Sequence, residues 1–261
     1  MSFNSICKKI KNVEIQGAEN IAKAGLKAYS LKPGKESVKK LTSLRPTEPA
    51  LINALKFAKK NSVPSALNHF KKSKLKISEL GAKKIHGLIF THCHSSSVMS
   101  ILKKAKKEKR NFKVFNTETR PLYQGHLTAK ELTKAKIPTT MVIDSAANSA
   151  IEHSSLVLMG ADAILKEGSV INKIGSGMYA QLAYSHKVPV YIATNSWKFS
   201  LKDVKIEQRA YKEVWKNAPE HIKISNPAFE KINPKYITAI ISELGILTPK
   251  KFIKEVKCRN T

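Results

Sequence analysis

The sequence predicts an α/β protein in which an N-terminal helical domain precedes a Rossmann-like, mostly parallel sheet with helices on both faces. The main observation is a change in the periodicity of the apolar residues after Gly81. Before it, apolar residues recur at helical spacing, and after it short apolar runs alternate with helical patterns. Continuous apolar strands are typical of a parallel sheet covered on both faces. We therefore assign residues 1–78 to the helical domain and residues 79–261 to the sheet domain.

The helical domain is predicted from two stretches whose apolar residues share one helical face, residues 20–29 and residues 50–60. Pro33-Gly34 and Arg45-Pro46-Thr47 interrupt the pattern, because proline and glycine favour turns. Residues 71–77 are expected to form a basic, weakly apolar connector to the next domain.

The sheet domain is predicted from short apolar runs that alternate with helical patterns. Strands are expected at residues 88–90, 114–115, 141–143, 156–159 and 188–192. Helices are expected at residues 97–110, 128–136, 149–154 and 177–186. Beyond residue 226 we predict one more helix, over residues 234–244, and a basic terminus. This alternation indicates a parallel sheet.

A cysteine and an aspartate stand where two of these strands end. Cys93, within Thr91-His92-Cys93-His94-Ser95, follows a strand and precedes a helix, whose start favours a thiolate. Asp144 follows the strand at residues 141–143 in the same manner. Since ligands bind at the carboxyl ends of such strands, we predict that Cys93 and Asp144 face one pocket as an acid/base pair.

Each of these residues also has a structural interpretation. Cys93 could be an ordinary buried cysteine, and Asp144 could cap the helix that follows it. A metal ion held by Cys93, His92 and His94 is disfavoured, since three consecutive residues do not easily converge on one ion. Asp162, the last residue of a Gly-Ala-Asp segment, is interpreted as structural.

Two glycine turns could bind phosphate. Gly175-Ser176-Gly177-Met178-Tyr179-Ala180 matches the glycine spacing of dinucleotide folds only weakly, because it comes late in the sheet and no acidic residue follows at the expected place. A glycine turn that opens a helix does offer free N–H groups to a phosphate. Asn172 and Lys173 precede this turn, and Lys198 follows the next strand. Gln16-Gly17-Ala18, before the first clear helix, could hold a second phosphate.

The chain carries 47 lysine and arginine residues against 19 aspartate and glutamate residues, a formal net charge of +28. Only five of the basic residues are arginine, the usual residue for base contacts and paired phosphate bonds. The lysines are spread over the whole chain. The composition therefore predicts no specific nucleic-acid site, although the positive field attracts anions such as phosphorylated sugars and RNA.

The three cysteines, Cys7, Cys93 and Cys258, are odd in number and far apart, which fits a reducing cytoplasm better than a disulfide framework. No apolar run is long enough to span a bilayer, and residues 1–12 lack the apolar segment of a signal peptide. We expect a cytoplasmic protein with no membrane partner.

Nine segments, in the same order, resemble one superfamily: the α, β and δ subunits of translation initiation factor 2B and their sugar-phosphate isomerase relatives. They are Ile15-Gln16-Gly17-Ala18, Leu44-Arg45-Pro46-Thr47, Thr91-His92-Cys93-His94-Ser95, Thr117-Glu118-Thr119-Arg120-Pro121, Asp144-Ser145-Ala146-Ala147, Met159-Gly160-Ala161-Asp162, Ile171-Asn172-Lys173-Ile174-Gly175, Ser196-Trp197-Lys198-Phe199 and Asn226-Pro227-Ala228-Phe229. Within this superfamily the chain is most similar to the archaeal ribose-1,5-bisphosphate isomerases, which share a catalytic Cys and Asp with the methylthioribose-1-phosphate isomerases.

The resemblance implies an aldose–ketose isomerase that forms ribulose-1,5-bisphosphate, with Cys93 and Asp144 as its catalytic pair. Asp144, kept protonated by an apolar surround, would protonate the ring oxygen, and the Cys93 thiolate would take the carbon-bound proton. The implied substrate contacts are Gln16, Gly17, Ala18, Glu19, Arg45, Asn172, Lys173 and Lys198. No metal or organic cofactor is required, and the resemblance implies a homodimer or hexamer.

Two positions depart from the isomerases, since Gln16 replaces an arginine and Glu19 a small residue. Both changes should weaken the binding of a dianionic phosphate. They favour a second function, a regulatory subunit like those of translation initiation factor 2B, which would bind a nucleotide or sugar phosphate and contact initiation factor 2. The initiation-factor subunits generally lack the cysteine, so Cys93 and Asp144 together favour the enzyme. An NAD-binding oxidoreductase is disfavoured.

Overall fold

The N-terminal part of the chain is helical, and local signals set where its helices begin. The computed structural model describes residues 1–46 and 48–260, and its first helices are α1 (Phe3–Lys11), α2 (Ala18–Leu31), α3 (Lys35–Leu44), α4 (Pro49–Lys60) and α5 (Val63–Ala82). The side chains of Ser2 and Ser62 cap α1 and α5. Gly17 precedes α2 with a φ angle of 84°, which suits glycine. Thr47, in the segment that begins at Leu44, lies outside the described residues.

These helices enclose an apolar core of their own, in which Ile10, Leu51 and Phe70 are buried. The long helix α5 then continues past this core, and Ile77 packs into a second core beneath the sheet. The boundary predicted after residue 78 therefore falls inside α5, and the division into two domains remains a prediction.

Strands and helices alternate in the rest of the chain. The strands are β1 (Gly87–Thr91), β2 (Phe112–Thr117), β3 (Thr139–Val142), β4 (Leu156–Met159), β5 (Ala163–Leu165), β6 (Val170–Lys173), β7 (Val190–Ala193), β8 (Phe199–Ser200), β9 (Phe229–Ile232), β10 (Ala239–Ser242) and β11 (Gly245–Leu247). The further helices are α6 (Ser96–Lys107), α7 (Gln124–Lys134), α8 (Ala147–Glu152), α9 (Ser176–Ser185) and α10 (Pro249–Asn260).

Seven strands form the main sheet, in the order β11-β10-β7-β4-β1-β2-β3, and all are parallel except β11. One apolar core, built with α8, α9 and α10, covers one face, and another, built with α5, α6 and α7, covers the other. The predicted α/β fold with a mostly parallel sheet and helices on both faces is confirmed.

The strand order reverses between β1 and β4. From β1 the chain moves outward to β2 and β3, and it then returns to β4 on the other side of β1 and continues to β7 and β10. A crevice forms outside the carboxyl ends of the two strands at such a reversal, and ligands bind there. Cys93 follows β1 and Asp162 follows β4, whereas Asp144 follows the edge strand β3.

The chain also forms a second sheet, in the order β8-β5-β6-β9, which the sequence pattern does not predict. Its strands are too short to give a clear periodicity, since β5 has three residues and β8 has two. This sheet carries two of the predicted site residues, since Asn172 and Lys173 lie at the end of β6.

The helix predicted over residues 234–244 is wrong. Pro234–Tyr236 forms a short 3-10 turn, and β10 and β11 follow it. Ile240 of β10 pairs with Ile192 of β7 on one side and with Leu247 of β11 on the other. A fully buried strand is apolar on both faces, so its sequence pattern does not differ from that of a short buried helix.

Candidate active site

A cavity of about 400 Å³ lies at the crevice between the ends of β1 and β4. Its volume suits a small molecule. The walls come from the start of α2, the turns after β1, β4 and β7, and the end of β6. The ionisable side chains in its lining include Cys93, Asp162, Lys173, Lys198, Arg45 and Glu48.

Cys93 lies in the turn between β1 and α6 and is half-buried at the cavity wall. Its backbone, with a φ angle of 63°, is held by two hydrogen bonds. The Cys93 N–H donates to Thr119 Oγ1 (3.0 Å), and the Cys93 carbonyl oxygen accepts from Thr128 Oγ1 (2.7 Å). Burial raises the pKa of the thiol to about 11, and the Lys173 ammonium opposes this rise. Burial therefore favours the neutral thiol at rest, and the helix whose start was expected to favour a thiolate, α6, begins only at Ser96, so the thiolate remains a prediction.

His92 is a buried side chain that orders the same turn. Its Nδ1 lies 2.6 Å from Thr117 Oγ1, and its Nε2 lies 2.9 Å from the carbonyl oxygen of Ile174. Burial lowers the pKa of His92 to about 4, although the Asp144 carboxylate acts to raise it. A neutral ring with both nitrogens engaged positions the turn. Within residues 1–46 and 48–260, no group of three or more His, Cys, Asp or Glu side chains is arranged to hold a metal ion.

Asp144 does not line this cavity, so the expectation that it faces the same pocket as Cys93 is not met. Its two carboxylate oxygens accept the backbone N–H groups of Thr119 (2.9 Å) and Arg120 (2.7 Å). The reason is topological, since β2 separates β3 from β1. Asp144 acts on the cavity indirectly. It accepts the Thr119 N–H, and the side chain of Thr119 accepts the Cys93 N–H.

Asp162 takes the place in the cavity that we expected for Asp144. It follows β4, which pairs directly with β1, and it lines the cavity together with Cys93. Burial raises the pKa of Asp162, while nearby cations, Lys198 foremost, act to lower it. The sequence contains a signal for this residue, because it follows an apolar strand just as Cys93 does. That signal does not say which strands are neighbours.

Asn172, Lys173 and Lys198 all line the cavity. Lys198 is only 8% exposed, and its Nζ donates to the carbonyl oxygen of Ala161. The Asn172 side-chain amide donates to Ser176 Oγ (2.8 Å), which fixes its orientation. Their role as ligand contacts remains a prediction.

The glycine turn at Gly175 does not contribute to the cavity. Gly175 and Gly177 are both absent from its walls, and the Gly177 N–H donates to Glu230 Oε1 at 2.7 Å. The predicted phosphate contact through this turn is therefore wrong, because a carboxylate from β9 already occupies the start of α9.

The first loop, residues 16–19, also lines the cavity. Gly17 precedes α2 without a side-chain cap. Glu19 Oε2 accepts from Ser96 Oγ (3.0 Å) at the start of α6, and Glu19 Oε1 pairs with Lys23 Nζ (2.5 Å). The Glu19 carboxylate therefore lies at the start of α2 and also contacts the start of α6.

Arg45 and Glu48 form a buried ion pair in the cavity wall, with exposures of 6% and 1%. Arg45 Nη2 lies 3.6 Å from Glu48 Oε1 and 3.4 Å from Glu207 Oε2. Burial, followed by the nearby Asp162, raises the pKa of Glu48 to about 8, and Arg45 opposes this rise. Sequence reasoning missed Glu48, because a glutamate before a helix is ordinarily a solvated residue.

The chain matches the model of the initiation factor 2 subunit family over residues 34–249. It belongs to that family. Within this family, the ribose 1,5-bisphosphate isomerase of Methanocaldococcus jannaschii is 38% identical, over 93% of this chain and 90% of that protein. The ribose 1,5-bisphosphate isomerase of Thermococcus kodakarensis is 36% identical, over 94% of this chain and 90% of that protein. These matches confirm the resemblance found in the nine segments.

A solved structure, the translation initiation factor eIF-2B of Pyrococcus horikoshii OT3, has a similar fold. Its TM-score is 0.87 at 28% identity, covering 96% of this chain and 98% of that chain. The chain is thus similar both to proteins named as isomerases and to a protein named as an initiation factor.

Proposed function

We propose that the protein is an aldose–ketose isomerase of the ribose 1,5-bisphosphate isomerase type, which converts the ring form of an aldose phosphate into a ketose phosphate. The observation that carries this proposal is the placement of Cys93 and Asp162 in one cavity, on the two strands that flank the reversal of strand order. The isomerases of the family, at 36% and 38% identity over most of the chain, support it.

The reaction needs an acid and a base, and it needs no change in oxidation state overall. An acid protonates the ring oxygen as its bond to C1 breaks. A base then removes the proton on C2, and the electron pair forms the C1–C2 double bond of an enol phosphate. Protonation at C1 and loss of the proton from the C2 hydroxyl give the ketose.

We assign the acid role to Asp162 and the removal of the C2 proton to Cys93. The raised pKa of Asp162 favours a carboxyl that holds a proton to donate. The Cys93 thiol must ionise before it acts, and Lys173 is the neighbour that lowers its pKa. Asp144, the partner expected from the sequence, acts in this proposal through the turn that it supports.

The cations of the cavity are assigned to the phosphate groups. Lys173, Lys198 and Arg45 come from three separate elements, and together they can fix the sugar between Cys93 and Asp162. Such positioning of a substrate lowers a barrier by several kcal/mol.

Turnover tests this proposal directly. The purified protein, incubated with ribose 1,5-bisphosphate and with methylthioribose 1-phosphate, is expected to form the ketose from one of them. Cys93→Ser and Asp162→Asn should each lower kcat by about a hundredfold or more, because neither a hydroxyl nor an amide performs the proton transfer. Asp144→Asn is the matched control and should retain more activity than Asp162→Asn. A larger loss of kcat in Asp144→Asn than in Asp162→Asn would instead support Cys93 and Asp144 as the catalytic pair.

A regulatory subunit is the second candidate, and the likeness to the Pyrococcus horikoshii factor favours it. Glu19 at the cavity wall also favours it, since a carboxylate there disfavours a second phosphate. No turnover of either sugar phosphate, together with co-purification of initiation factor 2 subunits, would favour this function over the enzyme.

The proposal also covers the oligomeric state and the cellular location of the protein. No helix in the described part of the chain is long and apolar enough to cross a membrane. We place the protein in the cytoplasm as a homodimer or hexamer, on the basis of its cysteine content and its family.

A further inference from the structure

Glu48 is a buried carboxyl of the cavity that the chemistry of Cys93 and Asp162 does not use. It is 1% exposed, and its Oε2 has no hydrogen-bond partner among the residues that the structure describes. A buried carboxylate without such partners is unfavourable, so this group must be explained by its surroundings.

Charged groups face Glu48 from four elements. They are Arg45 at the end of α3, Asp162 after β4, Lys198 in the turn after β7 and Glu207 in the segment between β8 and β9. Two of these carboxyls have further cations, since Glu207 pairs with Arg209 at 2.9 Å and Lys173 acts on Asp162, whereas the ion pair of Glu48 is the longer contact with Arg45, at 3.6 Å. Burial of this weakly paired carboxyl favours its protonated form, and the pKa of Glu48 is raised to about 8.

Arg45 has hydrogen-bonding capacity that the described residues leave unused. Its Nε and Nη1 are buried and have no hydrogen-bond partner within the described residues, although the side chain lines the cavity. Its ion pairs with Glu48 and Glu207 both involve Nη2. The guanidinium can therefore accept an anion on its other nitrogens while Glu207 remains its partner.

We propose that Glu48 is a proton-linked competitor for Arg45, so that an anionic group of the substrate binds this guanidinium only when the Glu48 carboxyl carries a proton. A carboxylate and a phosphate so close together would repel each other strongly in a buried site. The identity of the anion as a sugar phosphate rests on the proposed function, but the competition itself does not.

The proposal predicts that anion binding takes up a proton above neutral pH. We would titrate the whole protein by calorimetry with ribulose 1,5-bisphosphate and with inorganic sulfate, whose charge is constant between pH 7.5 and 9. Two buffers of different ionisation enthalpy give the number of protons bound. If Glu48 titrates near pH 8, the dissociation constant should rise about eightfold from pH 7.5 to pH 9, with uptake close to one proton at pH 9.

Glu48→Gln should abolish the proton uptake and make the affinity independent of pH in this range. Glu14→Gln, which removes a charge from an exposed residue at the cavity wall, is the matched control and should keep the uptake. Uptake that persists in Glu48→Gln, or a wild-type protein that binds the probes without uptake, would overturn the proposal. Failure of the wild type to bind both probes would overturn it as well.

The wild-type measurement decides the question even if Glu48→Gln does not fold. Proton-linked sulfate binding without any isomerase turnover would leave this inference standing and contradict the proposed function. Turnover without proton uptake would support the proposed function and contradict this inference.

Discussion

Burial shifts the pKa values of two neighbouring residues of this cavity, His92 and Cys93. It raises the pKa of Cys93 to about 11 and lowers the pKa of His92 to about 4. Both shifts favour the neutral form, as expected where water is excluded from a polar group. Cys93 could be identified from the sequence because it follows a strand, but its protonation state could not, because that depends on the packing around it.

The pKa of His92 predicts a loss of stability in mild acid. Because its folded-state value lies below the ordinary value of about 6.5, the unfolded chain binds the proton more readily, and stability falls as the pH falls from 6.5 towards 4. Urea unfolding at pH 6.5 and pH 4.5 should show a loss in the wild type about 2 kcal/mol larger than in His92→Asn. His221→Asn, at an exposed histidine, should lose as much as the wild type. Equal losses in all three proteins would contradict the buried neutral ring.

Among the secondary-structure elements, α7 and the end of β2 hold the turn that carries Cys93 through close backbone contact. The Asn116 side-chain amide donates to the carbonyl oxygen of Gly125 (3.0 Å), and Thr128 of α7 bonds the Cys93 carbonyl oxygen. A Cβ added at Gly125 would lie 1.8 Å from the carbonyl oxygen of Thr117. The sequence predicts a helix over residues 128–136, but it does not indicate that the helix begins earlier, at Gln124, or how closely its start approaches the strand.

Gly125→Ala should therefore destabilise the protein by about 3 kcal/mol, because the clash is with backbone that cannot move aside. Gly25→Ala is the matched control, since its Cβ would meet only the end of the Leu51 side chain, at 2.2 Å, and alanine favours the helix. Thermal unfolding should show a clearly lower Tm for Gly125→Ala than for Gly25→Ala. A similar Tm in the two variants would mean that α7 adjusts freely.

At the scale of the whole molecule, the N-terminal helices and the sheet both contribute to the cavity. The Asn53 side-chain amide of α4 donates to the carbonyl oxygens of Trp197 (2.8 Å) and Phe199 (3.0 Å), on either side of Lys198. The His69 ring of α5 stacks on Trp197 with centroids 3.8 Å apart. The N-terminal helices thus hold the turn that carries a cavity cation.

Asn53→Ala should release that turn and weaken the placement of Lys198. We expect the KM for the sugar phosphate to rise about tenfold with a smaller change in kcat, since binding is affected more than proton transfer. Asn61→Ala is the control, because the Asn61 amide bonds only Phe57 of its own helix in the described structure. Equal KM values in the two variants would contradict a role for the helices in the site.

The sequence by itself determined the α/β class, most of the helices, five of the seven strands of the main sheet, and the position of Cys93 at the end of a strand. These are local properties, because hydrophobic period and turn residues act over a few neighbours. The tertiary structure alone decided that β4, and not β3, lies beside β1, so that Asp162 replaces Asp144 in the cavity. It also decided that Ile240 belongs to a strand and that Glu48 is buried against Arg45. These features depend on pairing between residues far apart in the chain, which no local pattern encodes.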